Sequence, residues 1–122
     1  MVDEHDEVAI LRRDASLELR DVAQLLAGPL EEGEAIRAVV FGSYATGTAD
    51  GYSDLDLVVV LDTDRPFLER GALLPRIFEA VPAGIDLLIY TPREFARGMQ
   101  ERMGIFDSIA REGITIYERS KG

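Results

Sequence analysis

The apolar positions of this chain change their period several times, and each change marks an element. From about Val8 to Leu26 they recur every three or four residues, at Leu11, Ala15, Leu19, Val22, Ala23 and Leu26. That spacing predicts an amphipathic helix, which Gly28-Pro29 ends or breaks. Glu31 to Glu34 read as a polar turn, and Ala35 to Phe41 as a strand apolar enough to be buried on both faces. A run of small and polar residues follows, and then a second strand over Asp54 to Leu61. Asp62-Thr63-Asp64 ends that strand, and Thr63 or Asp64 is placed to cap a helix with Pro66 in its first turn. This helix is predicted to reach about Ala80 and to bury Phe67, Leu68, Leu73 or Leu74, Ile77 and Phe78. Val81 to Gly84 break it, and Ile85 to Tyr90 is a third strand with Asp86 inside an apolar run. Thr91-Pro92-Arg93-Glu94 opens a helix with a cap, a first-turn proline and a capping-box glutamate, continuing to about Met103. Gly104 interrupts, Ile105 to Glu112 is a last helix stopped by Gly113, and Ile114 to Tyr117 is a short closing strand.

Strands separated by helices predict an α/β (α+β) fold, a small mixed sheet covered by helices. A length of 122 residues, 47% of them hydrophobic, fits one domain over 1–122, with residues 1–7 as a frayed charged tail. The formal net charge of −10 argues against nonspecific binding to nucleic acid or to an anionic membrane. It favours a basic protein partner, or a site that handles anions through a metal ion. There is no cysteine, which excludes disulfides and suits the cytoplasm. The single histidine, His5, lies in the acidic N-terminal stretch, so a histidine–cysteine zinc site is excluded. That stretch is acidic where a signal peptide is basic, and no apolar run approaches the roughly 20 residues that span a bilayer. A soluble chain is expected.

The chemistry concentrates between the first two strands, from Phe41 to Leu57. Gly42-Ser43 ends the first strand where a backbone can approach a ligand closely, and the N–H groups of a following helical turn can bind phosphate. The stretch is neither a P-loop nor a Rossmann fingerprint, since both spacings are absent. Asp54 and Asp56 enter the second strand two residues apart and so share a face. Such a pair repels itself unless a cation, protonation or open solvent relieves it, and carboxylates with water suit magnesium. Asp86 can complete a three-carboxylate site if its strand lies beside the second. Alternatively it is held in an ion pair, with Arg37 as a candidate partner.

Together, Gly42, Ser43, Ala45 and Gly47 followed by Ser53, Asp54, Asp56 and Leu57 resemble the nucleotidyltransferase superfamily of the DNA polymerase beta type. Within it the chain is similar to the minimal nucleotidyltransferase (MNT) group, over roughly residues 35–118. The resemblance implies a polymerase beta-like nucleotidyltransferase fold and a two-metal transfer of a nucleoside monophosphate from ATP or another NTP to a hydroxyl. Gly42 and Ser43 would hold the triphosphate. Asp54 and Asp56 would bind both Mg2+ ions, and Asp86 would bind one and orient or activate the attacking hydroxyl. Members of the minimal group pair with HEPN-domain toxins and act as antitoxins by adding AMP to a tyrosine of the toxin. That activity is the leading expectation here, with a HEPN-type toxin as partner and a homo- or hetero-oligomer as the assembly. A small-molecule acceptor such as an aminoglycoside and a non-catalytic partner-binding module are the competing readings.

Overall fold

The computed structural model describes residues 18–119. The tail predicted to be frayed, His5 and the first part of the predicted N-terminal helix lie outside the described residues. Helix α1 spans Leu19–Glu32, and strand β1 Arg37–Phe41. The short helix α2, Ser43–Thr46, precedes strand β2, Leu55–Val60. A 3-10 helix, Phe67–Leu73, and helix α3, Ile77–Ala80, lead to strand β3, Ile85–Tyr90. Helix α4 (Pro92–Glu101), helix α5 (Ile105–Glu112) and strand β4 (Ile114–Glu118) complete the described chain.

The four strands form one sheet in the order β3-β2-β1-β4. β1 is antiparallel to both β2 and β4, while β2 and β3 run parallel. This is the mixed sheet that the alternation of strands and helices predicts. Each face has its own core. Ala38, Val40, Leu57 and Val59 pack with Val22, Leu26 and Leu30 of α1 and with Ile77 of α3. Val39, Val58 and Val60 face the other way, against Phe95 of α4 and Ile109 of α5, with Leu88 and Tyr90 of β3 beside them. Helix α4 starts as predicted: Thr91 Oγ1 accepts from the Glu94 N–H, Glu94 Oε1 accepts from the Thr91 N–H, and Pro92 occupies the first turn.

Two predicted elements are corrected. Helix α1 does not stop at Gly28-Pro29 but continues to Glu32 with Pro29 inside it. The buried stripe of Val22 and Leu26 extends to Leu30, which is fully buried. Burying a leucine contributes roughly 1.5–3 kcal/mol, the scale of the roughly 3 kcal/mol that an interior proline costs.

The predicted helix to Ala80 is instead a 3-10 turn and a single α-turn separated by Leu74-Pro75. Leu74 has φ −128° and ψ 61°, outside the helical region, as proline disfavours helix in the residue before it. Thr63 closes a local turn by accepting from the Arg65 N–H, and caps no helix. Leu74 and Ile77 are buried as predicted, but Phe67, Leu68 and Phe78 are 40%, 93% and 49% exposed.

The residue buried in their place is Arg70, only 6% exposed. Its guanidinium donates to the carbonyls of Arg65 and Ile89 and to both carboxylate oxygens of Glu94. Arg70 holds the Glu94 carboxyl below its usual range, so this stability is present above the ordinary glutamate pKa and is lost as pH falls through the lowered one. Arg70→Met should lower unfolding stability by about 2–3 kcal/mol, less than a fully buried pair would lose because water screens the half-exposed Glu94. It should also flatten the acid limb of the stability curve. Urea melts between pH 3 and 7 check both effects.

Candidate active site

β1, β2 and β3 place Phe41, Asp56 and Asp86 in one row across the sheet. Asp56 and Asp86 are register partners on the parallel pair, and Asp54 lies one pleat before Asp56. All three carboxylates are on the face covered by α4 and α5. The apolar cluster on that face runs through Val58, Val60, Leu88 and Tyr90, so the acidic strand ends lie beyond its cover. Asp54 and Asp86 are exposed and Asp56 is half-buried.

The turn that delivers Asp54 is built by Asp50, which the sequence reading left without a role. Asp50 Oδ1 accepts from the Tyr52 N–H, and the Ser53 hydroxyl accepts from the Asp50 N–H. The Asp50-Gly51 pair was the available signal. On the opposite side of the site, β1 runs through Gly42 into α2. Gly42 has φ 71° and ψ −149°, a conformation essentially reserved for glycine. A Cβ at Gly42 would collide with the Asp56 carboxylate. The N–H groups of Ser43 and Tyr44 stand at the free first turn of α2. The Ser43 hydroxyl has no hydrogen bond among the described residues.

A second glycine, Gly84, was read only as a helix breaker. Its carbonyl accepts from the Leu55 N–H at 2.8 Å, and a Cβ there would meet Asp54 Oδ1. Gly84 therefore makes room for the Asp54 carboxylate at the junction of β2 and β3. The obstacle is the end of a side chain, so Gly84→Ala should fold with an unchanged melting temperature. If Asp54 serves as the sequence resemblance implies, the substitution should nevertheless lower nucleotide transfer on the order of 10²-fold by turning Asp54 aside. Parallel melts and transfer assays separate this from a loss of folding.

Burial pushes the Asp56 carboxyl above the usual range, and Asp86, through charge and hydrogen bonding, and then the charge of Asp54 push it further. None of the ion pairs among the described residues involves Asp54, Asp56 or Asp86. Arg37, the candidate partner for Asp86, instead donates to Thr115 Oγ1 and lies over the Phe95 ring, at the Val60 end of β2. No three acidic or histidine side chains among the described residues are already converged as a metal cage. The carboxylates are electrostatic neighbours around an open space. That suits magnesium, which usually keeps several waters and takes one or two carboxylates together with substrate phosphates.

A family model described as a nucleotidyltransferase domain matches residues 23–111. The chain belongs to this nucleotidyltransferase family. No curated protein sequence matches it. Among solved structures, a candidate nucleotidyltransferase from Sulfolobus solfataricus is similar at a TM-score of 0.56 and 17% identity, over 86% of this chain and 84% of that one. A toxin–antitoxin complex with AMP-PNP is similar at a TM-score of 0.53 and 19% identity, over 86% and 77%. A mutant of the MntA-HpeT toxin–antitoxin complex is similar at a TM-score of 0.53 and 17% identity, over the same 86% and 77%. At these identities the likeness establishes the nucleotidyltransferase fold. No helix among the described residues is long and apolar enough to cross a membrane.

Proposed function

We propose that this nucleotidyltransferase moves AMP from ATP, with magnesium, to a hydroxyl of a protein partner, and that the acceptor is a tyrosine of a HEPN-type toxin which the chain thereby silences. The observation that carries the reading is the row of Asp56 beside Asp86, with Asp54 one pleat away and no ion pair to any of the three among the described residues. A cluster of that charge is stable when it holds a cation, and its open side leaves room for a polyphosphate. Two of the similar solved structures are described as toxin–antitoxin complexes, one of them with AMP-PNP. This supports the choice of partner and of adenine nucleotide.

In this reading Asp54 and Asp56 hold the metal ions, and Asp86 holds one of them. Bound magnesium supplies charge stabilisation for the entering and leaving oxygens. Gly42 brings the backbone close, and the Ser43 N–H and hydroxyl donate to the triphosphate. Asp86 orients the acceptor hydroxyl and takes its proton as the oxygen attacks the α-phosphorus. Pyrophosphate leaves, and the acceptor gains one phosphodiester.

The test is to co-express the chain with the product of its neighbouring reading frame, and to incubate the purified pair with α-phosphate-labelled ATP, with and without EDTA. Label on a partner tyrosine, lost with EDTA and with Asp54→Asn, is the expected result. A partner neutralised equally well by an unlabelling variant would leave binding, not transfer, as the function.

A further inference from the structure

We propose that the acceptor polypeptide docks as an added strand on the outer edge of β3, in the cleft between β3 and the Phe67–Leu73 helix. This rests on the protein-acceptor reading above. β3 is an edge strand of the sheet. The carbonyls of Gly84 and Tyr90 accept from Leu55 and Leu61, so even-numbered positions face β2. In a parallel ladder Ile85, Leu87 and Ile89 then turn their N–H and C=O groups outward. At Ile89 the outward carbonyl is already taken by Arg70, at 3.0 Å. Ile85 and Leu87 have no such partner among the described residues. An open edge of this kind is a template for another strand.

The edge opens onto a cleft of about 290 Å³, with Phe67, Leu68 and Phe78 facing Ile85 to Leu88 across it. Those three large apolar side chains are left in water by the described fold, Leu68 almost entirely. The chemistry of the cleft specifies its occupant. Arg70, the one basic residue lining it, is bound to Glu94. Exposed Glu69 and Glu79 adjoin the apolar wall in sequence, and the whole chain carries a net charge of −10. The complementary segment is extended, apolar at its centre and basic at its flanks. Asp86 lines the cleft and is also the register partner of Asp56. Side chains of an added strand alternate, so a hydroxyl residue on the Asp86 face comes alongside the carboxylates, and its two apolar neighbours fall on the face of Ile85 and Leu87.

The probe is a synthetic peptide, Lys-Lys-Thr-Val-Tyr-Val-Thr-Lys-Lys, added to the full chain with magnesium and ATP. Amide hydrogen exchange is followed at Ile85 and Leu87, and AMP transfer to the peptide is followed by mass. Slowed exchange at both amides is expected, together with transfer. In the Leu68→Glu/Phe78→Glu double variant the peptide KM should rise about tenfold, a loss of about 1.4 kcal/mol, with kcat and ATP affinity retained. Peptide modification without protection, or with an unchanged KM in the double variant, overturns the edge site and leaves the protein-acceptor reading standing. Protection without transfer keeps strand addition and removes the acceptor role. Neither effect overturns both. Protection that appears without peptide and grows with protein concentration assigns the edge to a second copy of the chain, against the proposal.

Discussion

Asp56→Asn is expected to melt at a higher temperature than the wild-type chain in EDTA at pH 7, and to lose nucleotide transfer by about 10³-fold. Both effects have one origin. The fold raises the Asp56 pKa by burial and by its two acidic neighbours, so it disfavours the ionised form. For a group with a raised folded pKa, the associated stability is full below the ordinary aspartate range and is lost as pH rises through the folded value. The fold therefore disfavours a carboxylate at this position at pH 7, and asparagine removes that repulsion at nearly the same volume. In the proposed function bound magnesium relieves the same repulsion in the wild type, so magnesium with ATP should raise its melting temperature and not the variant's. The loss of transfer follows because metal charge stabilisation is worth several kcal/mol, and about 4 kcal/mol is roughly a factor of 10³ in rate. Melts from pH 4 to 8 in EDTA should show the two proteins converging at the acid end. A variant that melts lower at every pH and still transfers would make Asp56 a structural residue.

What the sequence discloses depends on how local each signal is. The capping box at Thr91 and Glu94, the mostly apolar run Ile85–Tyr90 and the helix Ile105–Glu112 are written in adjacent residues, and the structure has them at those positions. Phe67 to Ala80 was misread because its outcome is decided at a distance. Arg70 is buried since Ile89 and Glu94, about 20 residues on, supply acceptors for it. Once it takes the interior, Phe67 and Leu68 are left outside. Composition alone would have ranked those burials the other way. The site divides along the same line. Asp54 and Asp56 share a face by alternation within one strand, a local fact. Whether Asp86 joins them depends on β3 lying parallel and next to β2, which no local pattern states. The part of Gly84 in the candidate site has no local signal, because the room it leaves is for a side chain 30 positions earlier.

Asp86→Asn is expected to divide nucleotide binding from chemistry. Asp54 and Asp56 come from one strand and, in the proposed function, hold the metal–ATP complex without Asp86, so ATP affinity in magnesium should stay close to that of the wild type. Asp86 comes from the neighbouring strand, is exposed, and faces the cleft proposed for the acceptor. In the proposed function it orients the attacking hydroxyl there and accepts its proton, and losing a general base costs about 10²-fold or more in rate. The rival explanation was a structural ion pair with Arg37, whose rupture would cost roughly 3–5 kcal/mol of stability. Arg37 is committed to Thr115 and the Phe95 ring, and no ion pair among the described residues includes Asp86. The variant should therefore melt no lower than the wild type. Removing one of three mutually repelling carboxylates should also bring the Asp56 carboxyl back toward its ordinary range, since Asp86 is the larger of its two charged perturbers. One protein then serves three measurements: a melt, an ATP titration with magnesium, and a transfer assay with the partner present. Normal melting and binding with transfer down by two orders of magnitude assigns the proton-accepting role to Asp86. Near-normal transfer would remove it from the catalytic residues and leave Asp54 and Asp56 to act alone.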